Sequence, residues 1–328
     1  MHIGTQHVSG DNWEGYQVLT QLGVNHVSAN PPGSWQNWSV DILTQFKEKL
    51  ASIGISLDMI ILPLSSVAAK SQGLPHIFLG PSSERDEELD RLCDLIRNLS
   101  LAGIPAGRYN ITILGHLRTE RRIGRGGATL SSFEYSKLDQ SLGEFESGAA
   151  DADEMWERID YFLSRVVPVA EEYKVRLACH TQDPGIGGQT YRGVARVMGM
   201  AEGLKKFVEM HESPYHGLNF CIGTVSESLG NPGEEIYEVV RYFGERKKLF
   251  NIHFRNIKGG FLDFVEVFPD EGDVNMLRAL RTLKEVNYPY MVMPDHVPGI
   301  SGEAPGAVGF AYCFGYIHAL MQALDEED

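Results

Sequence analysis

His180, Cys221, His253 and Asp295 bring together two imidazoles, one thiol and one carboxylate. Each lies in or at the end of a short apolar run: Val175 to His180, Leu218 to Thr224, Phe250 to Ile257 and Tyr290 to Pro294. Singly, each has an ordinary explanation. A cysteine in Asn219-Phe220-Cys221-Ile222 behaves as a small core residue, and a lone strand histidine is usually a hydrogen-bonded core group. Four such residues on four successive strands, near one end of each, form a donor set suited to a borderline divalent ion such as Mn²⁺, Fe²⁺ or Zn²⁺. Cys179 precedes His180 and points to the other face of its strand, so it belongs to packing. Cys93 and Cys313 fall on helices and are read the same way.

A second group is the stretch Gly115 to Thr129, which carries Arg118, Arg121, Arg122 and Arg125 around one Glu120. Guanidinium groups bind carboxylates in a bidentate fashion, and glycine-rich backbone closes readily over a small anion. His116 and Arg118 lie closest to the preceding strand and are the better candidates for a site. A solvated loop or an oligomer contact is the plainer alternative, and a P-loop is excluded because GxxxxGK[ST] is absent. Tyr109-Asn110 lies on another strand and could supply a phenol and an amide, while Trp35 and Trp38 follow the second and either wall a sugar site or simply pack.

These residues need elements to position them. Apolar, β-branched runs alternate with helix-like stretches along the chain: Ile3–Val8 then 11–22, Asn25–Asn30 then 40–53, Ser56–Leu62 then 85–102, and Ala106–Ile113. A long helix from about 153 to 173 precedes Val175–His180, which is followed by a helix over 193–211. Leu218–Thr224 leads to 233–243, Phe250–Ile257 to 274–285, and Tyr290–Pro294 to 307–324. Leu89, Leu92, Cys93, Ile96 and Leu99 show the three- and four-residue spacing of a helix face. Nearly continuous apolar strands indicate burial on both sides. The alternation predicts an α/β fold, a single (β/α)₈ TIM barrel over residues 1–328 with its chemistry at the C-terminal ends of the strands. An open doubly wound sheet is the runner-up, weakened by the lack of GxGxxG after the first strand. The connections 65–84 and 115–153 are long enough to be lids over that face, the second being the probable active-site lid or insertion. The terminal 325–328 reads as a solvated acidic tail.

The chain of 328 residues carries 29 Lys and Arg against 44 Asp and Glu, a net charge of −15. That balance excludes a general nucleic-acid binder, which needs a basic face. Four cysteines without a CxxC exclude a disulfide framework or a zinc knuckle. No signal-like N-terminus and no run of 18 apolar residues is present, so a cytoplasmic protein without membrane attachment is expected.

At these positions the chain resembles the mannonate dehydratase family of xylose-isomerase-like barrels. The matching stretches are Tyr109-Asn110, Arg118-Thr119, His180 with Asp183-Pro184, Leu218 to Gly223, His253-Phe254-Arg255-Asn256, Gly272 to Met276, Pro294-Asp295-His296 and Gly309 to Tyr312. The chain differs in having Met293 where family members commonly have Arg, His180-Thr181-Gln182-Asp183-Pro184 where many show His-Pro-Asp-Asp-Pro, and only Val297 to Gly306 after the Asp-His pair. The resemblance implies a hydro-lyase converting D-mannonate to 2-keto-3-deoxy-D-gluconate in hexuronate breakdown, with Mn²⁺ or Fe²⁺ held by His180, Cys221, His253 and Asp295. It also implies proton transfer by His296 and Tyr312.

The reaction removes a proton beside a carboxylate and expels the neighbouring hydroxyl. It therefore needs a Lewis acid, a proton carrier such as His296, and cations for the carboxylate. Arg118 and Arg255, with His116 and Asn110, are the expected substrate contacts. The expected partners are a small sugar acid and further copies of the chain in a homo-oligomer. A metal-dependent isomerase or epimerase of the same superfamily, which retains the substrate oxygen, and a non-catalytic sugar-acid-binding barrel are the alternatives.

Overall fold

The structure, a computed structural model, describes residues 1–326. Eight parallel strands close into a barrel in simple chain order. They are β1 (His2–Thr5), β2 (His26–Ser28), β3 (Ser56–Ile61), β4 (Ala106–Asn110), β5 (Arg176–His180), β6 (His216–Cys221), β7 (Leu249–His253) and β8 (Met291–Met293). β1 pairs with both β2 and β8, which closes the ring. The expected TIM barrel is the fold of this chain.

Around it lie α1 (Trp13–Gln21), α2 (Val40–Ala51), α3 (Ser83–Leu101), α4 (Ala152–Tyr173), α5 (Ala201–Glu209), the short α6 (Ile222–Ser226), α7 (Pro232–Glu245), α8 (Met276–Glu285) and α9 (Pro305–Asp325). Their starts are written in the sequence. Ser39 and Ser82 accept backbone N–H bonds at the heads of α2 and α3. Asp151 and Glu154 form a reciprocal capping box on α4. α3 buries Leu89, Leu92, Cys93, Ile96 and Leu99, the stripe expected of it. β6 and β7 are buried along their whole length, because helices cover them outside and side chains fill the interior. Met59, Ala106, Ala178, Phe250, Met291 and Met293 form a separate apolar plug contributed by β3, β4, β5, β7 and β8. Met293 is thus a fully buried packing residue in this chain.

The apolar run Phe250–Ile257 is two elements rather than one strand. β7 stops at His253, and Asn256–Gly260 then pairs antiparallel with Asp263–Val267. Phe254 and Ile257 both enter the main core, so the apolar pattern does not register the break. The far strand of this hairpin pairs with Ser132–Glu134 of the long loop after β4, making a three-stranded sheet above the barrel. Phe133 stacks on Phe264 at 5.7 Å between centroids, and both are buried. Arg122 bonds Glu134 and Asp263, and Arg125 bonds Asp270. The loop arginines therefore fasten loop to hairpin.

The helix expected over 193–211 is shorter at both ends. Val194–Ala195 pairs with Thr190–Tyr191, and the buried Arg196 guanidinium donates to the carbonyls of Gly115, Asp183 and Pro184, holding that stretch out of the helix. The acidic tail also begins later than expected. Asp325 ends α9 and Glu326 caps it, while Glu327 and Asp328 lie outside the described residues. α9 is long and apolar enough by composition to span a membrane, which the run-length criterion did not register, yet it seats Gly309, Cys313, Phe314, Ile317 and Leu324 on the barrel.

The Phe133–Phe264 pair makes a direct prediction. Removing a buried phenyl ring costs about 3–5 kcal/mol. Phe133→Ala is expected to speed amide exchange in 132–134 and 263–267 while leaving β5 to β7 protected. Uniformly faster exchange through the barrel would show that the small sheet is not a local unit.

Candidate metal centre

Cys221 ends β6 and caps α6. Its Sγ accepts the Thr224 backbone N–H at 3.3 Å, which anchors the sulfur where the chain turns from strand to helix. His180 ends β5, and its Nδ1 donates to the Thr181 carbonyl at 2.7 Å. That bond leaves Nε2 as the free lone pair. His253 ends β7. Its Nε2 lies 3.1 Å from Gln6 Oε1, and its Nδ1, with no hydrogen-bond partner, faces Asp295 Oδ1 at 3.3 Å. Asp295 follows β8, where the strand has already ended, so Asp295 and His296 both turn toward the mouth. One donor atom from each of His180, Cys221, His253 and Asp295 lies within 4.8 Å of the other three, and all four residues are buried.

Burial sets the charge state of this group. It pushes His180 down to about 3, with His253 adding repulsion, and it lowers His253 as well. It pushes the Cys221 thiol up. Asp295 behaves oppositely. Burial works against its ionisation, but His296, His253 and Arg255 together hold its carboxyl well below the usual range. Two neutral imidazoles, a thiol and one carboxylate thus face each other around orphaned lone pairs. That donor chemistry fits a divalent cation, which would supply the charge to draw off the thiol proton.

Beside the four donors lies a buried charge network. Arg255 reaches Asp183 at 3.2 Å, Glu266 at 3.3 Å and Asp295 at 3.3 Å, and it also bonds Glu227. Arg118 grips Asp183 with both terminal nitrogens, Nη2 at 2.9 Å, and donates Nε to Glu266 at 3.0 Å. Two guanidiniums so engaged are not free carboxylate clamps. Arg118 and Arg255, expected at the substrate carboxylate, here spend these nitrogens on internal carboxylates, the counter-charges that a buried cation needs. Burial and the neighbouring Asp183 push Glu227 above the usual carboxylate range, while Arg255 and Arg118 oppose the shift.

His296 stands at the edge of this network. Its Nδ1 lies 2.8 Å from Glu266 Oε2, and its Nε2 is 3.9 Å from Asp295 Oδ1. Asp295 and Glu266 overcome the effect of burial and raise its pKa. The ring of His116 lies edge-on to it at 5.9 Å between centroids. Asn110 ends β4 in register with His180. Tyr312 is the expected residue that the structure leaves apart. Its hydroxyl meets Arg125 at 3.4 Å out on α9, and its side chain is exposed. Trp38 is buried in the core and Trp35 packs partly against it, so neither walls this site.

Several neighbours were not read from the sequence. Gln6 bridges Asp295 Oδ1 at 3.2 Å and His253. The His7 ring lies tilted against Phe310 at 3.9 Å between centroids. The strand-end rule would have found both had the first strand been ended at Thr5 rather than Val8. Asp183 is marked only by the family resemblance, and Glu227 and Glu266 are single acidic residues in irregular or apolar surroundings that carry no spacing signal. Arg121 was passed over for Arg118. It opens onto a cavity of about 380 Å³ with Thr129, Ser131, Glu266 and His296, and it has no ion-pair partner among the described residues.

A model of D-mannonate dehydratase (UxuA) matches residues 121–328. The chain belongs to the D-mannonate dehydratase family. That makes it a hydro-lyase of metal-dependent type. Mannonate dehydratase of Thermotoga petrophila is 28% identical over 332 residues, covering 88% of this chain and 87% of that protein. The Streptococcus agalactiae enzyme is 27% identical, covering 93% of each chain. The crystal structure of mannonate dehydratase from Streptococcus suis superposes with a TM-score of 0.80 at 21% identity, over 99% of this chain and 95% of that one. A D-tagatose 3-epimerase-like protein shares the barrel with a TM-score of 0.58 at 16% identity, covering 100% of this chain and 99% of that one.

Cys221→Ser tests the cluster. A neutral hydroxyl replaces a thiolate ligand, so metal affinity should fall by more than the roughly 10- to 100-fold typical of losing an outer hydrogen-bond partner. Elemental analysis alongside circular dichroism checks this. Full metal content in a folded variant would make Cys221 a packing and capping residue only.

Proposed function

We propose that the barrel mouth dehydrates D-mannonate to 2-keto-3-deoxy-D-gluconate, with Mn²⁺ or Fe²⁺ held by His180, Cys221, His253 and Asp295. The observation that carries the reading is the convergence of these four donors beside His296, in a chain of this family. Such an ion acts as a Lewis acid that stabilises negative charge developing next to the substrate carboxylate.

The rest is done by side chains. Overall, the proton on carbon 2 and the hydroxyl on carbon 3 leave as water, and the resulting enol becomes the 2-keto group. His296 lines the cavity while Glu266 holds its Nδ1, so the ring is fixed in one orientation for proton exchange through Nε2. Its raised pKa favours the protonated ring, which suits delivery of a proton to the departing hydroxyl. Arg121 supplies an uncommitted cation on the same cavity for the substrate carboxylate. The buried Arg118–Asp183–Arg255–Glu266 network keeps these groups in place and is satisfied without substrate.

Incubation with D-mannonate and mass analysis of the product tests the activity. The product should be one water lighter than the substrate. A product of unchanged mass would instead indicate isomerisation or epimerisation. His296→Asn should keep the metal and lower kcat about 10²- to 10⁴-fold, the usual worth of an acid–base group. Loss of metal together with activity would make His296 a support for Asp295.

Arg121→Ala should raise KM for mannonate by about 10-fold or more, in line with the roughly 1.5–3 kcal/mol of a charge-assisted hydrogen bond, with little change in metal content. An unchanged KM would place Arg121 outside the substrate site.

A further inference from the structure

At the opposite end of the barrel a second group of metal-binding side chains converges. His2 is the first residue of β1, His26 the first of β2, and Asp58 the third of β3. His2 Nε2 lies 3.0 Å and His26 Nδ1 2.9 Å from the same Asp58 oxygen, Oδ2. The two imidazole rings stack at 3.7 Å between centroids. Ser56 Oγ bonds the other carboxylate oxygen, Oδ1, and so fixes the plane of the group.

The backbone is shaped for this arrangement. β2 and β3 pair Val27 with Leu57 and then Ser28 with Met59, so Asp58 is the extra residue of a bulge. Bulges re-aim a side chain at the cost of regular pairing, and they are common beside functional sites. Here the bulge falls on the residue whose carboxylate the two histidines share. The apolar plug of Met59, Ala106, Ala178, Phe250, Met291 and Met293 fills the barrel interior. This group therefore has its own access to solvent, with side chains 32%, 32% and 21% exposed.

We propose that His2, His26 and Asp58 form a second, structural cation site for a borderline transition ion of the Zn²⁺ type. Two imidazoles and one carboxylate are the donor set that such ions take with open positions for water, whereas Mg²⁺ and Ca²⁺ favour all-oxygen shells. Metal–ligand bonds of about 2.0–2.1 Å in tetrahedral geometry separate donors by about 3.4 Å. The observed 2.9 and 3.0 Å need to widen by only a few tenths of an ångström. The ion would sit between Asp58 and the two rings, each neutral imidazole binding through the nitrogen that faces Asp58 and keeping its proton on the other nitrogen. It would cross-link β1, β2 and β3 at the end remote from the reaction.

Cobalt(II) distinguishes the two sites, because a thiolate ligand gives a sulfur-to-cobalt charge-transfer band and a site of nitrogen and oxygen donors does not. Untagged, metal-free full-length protein is titrated with Co²⁺ and read by absorption and by bound-metal stoichiometry. The wild type should bind two equivalents per chain. His26→Gln should bind one with the charge-transfer band intact and turnover unchanged. Cys221→Ser should retain one equivalent without that band. Asp58→Asn provides an independent variant if His26→Gln fails to fold. One equivalent in the wild type with full charge-transfer intensity would overturn the second site and leave the barrel-mouth reading standing. Two equivalents in both folded His26→Gln and Asp58→Asn would overturn it as well.

Discussion

Two guanidinium groups sunk among three carboxylates determine how the mouth of this barrel is built. Arg255 comes from the bend after β7, Asp183 from the loop after β5, Glu227 from the end of α6, Glu266 from the hairpin and Arg118 from the long loop. Each was removed from water at a cost that only its neighbours offset. Removing either guanidinium would leave carboxylates buried without a counter-charge in a poorly screened interior. The network therefore fixes five separate chain segments relative to one another. His296 inherits its orientation from Glu266, and Asp295 inherits part of its negative charge state from Arg255.

The four donors lie at the least ambiguous positions that a barrel offers. A strand that is buried on both faces leaves a polar residue at its end few alternatives, and β5 to β8 each deliver one donor at or just beyond the terminus. Local chemistry then refines the placement. Cys221 is held by capping α6, and His180 is held by its own following carbonyl. His253 is the most exacting case. Gln6, just past β1 across the closed ring, reaches both its Nε2 and Asp295, so the donor set depends on closure of the barrel between its first and last strands.

Much of this was legible in the sequence, for reasons that vary by residue. The strand–helix alternation and the stripe on α3 follow from periodicity alone. His180, Cys221, His253 and Asp295 stood out because their polarity interrupts apolar runs. The hairpin after β7 did not, since Phe254 and Ile257 continue an apolar pattern across the break while Arg255 turns inward. Arg118 and Arg255 stood out by charge, but the internal carboxylates they engage did not. Their partners Asp183, Glu227 and Glu266 are far away in the chain, and pairing between distant charges has no periodic signature. Arg121 differs from Arg118 only in lacking such partners, which is a property of the folded state.

The sheet that joins Ser132–Glu134 to Asp263–Val267 also matters for how this protein can change over time. Each insertion supplies a partner for the other's backbone. Deleting the loop after β4 would strip one edge of the hairpin and expose unpaired N–H and C=O groups, a template for association with other chains. Lengthening the hairpin alone would extend that edge beyond its cover. The two segments, more than 100 residues apart, can therefore be exchanged between related barrels only as a matched pair.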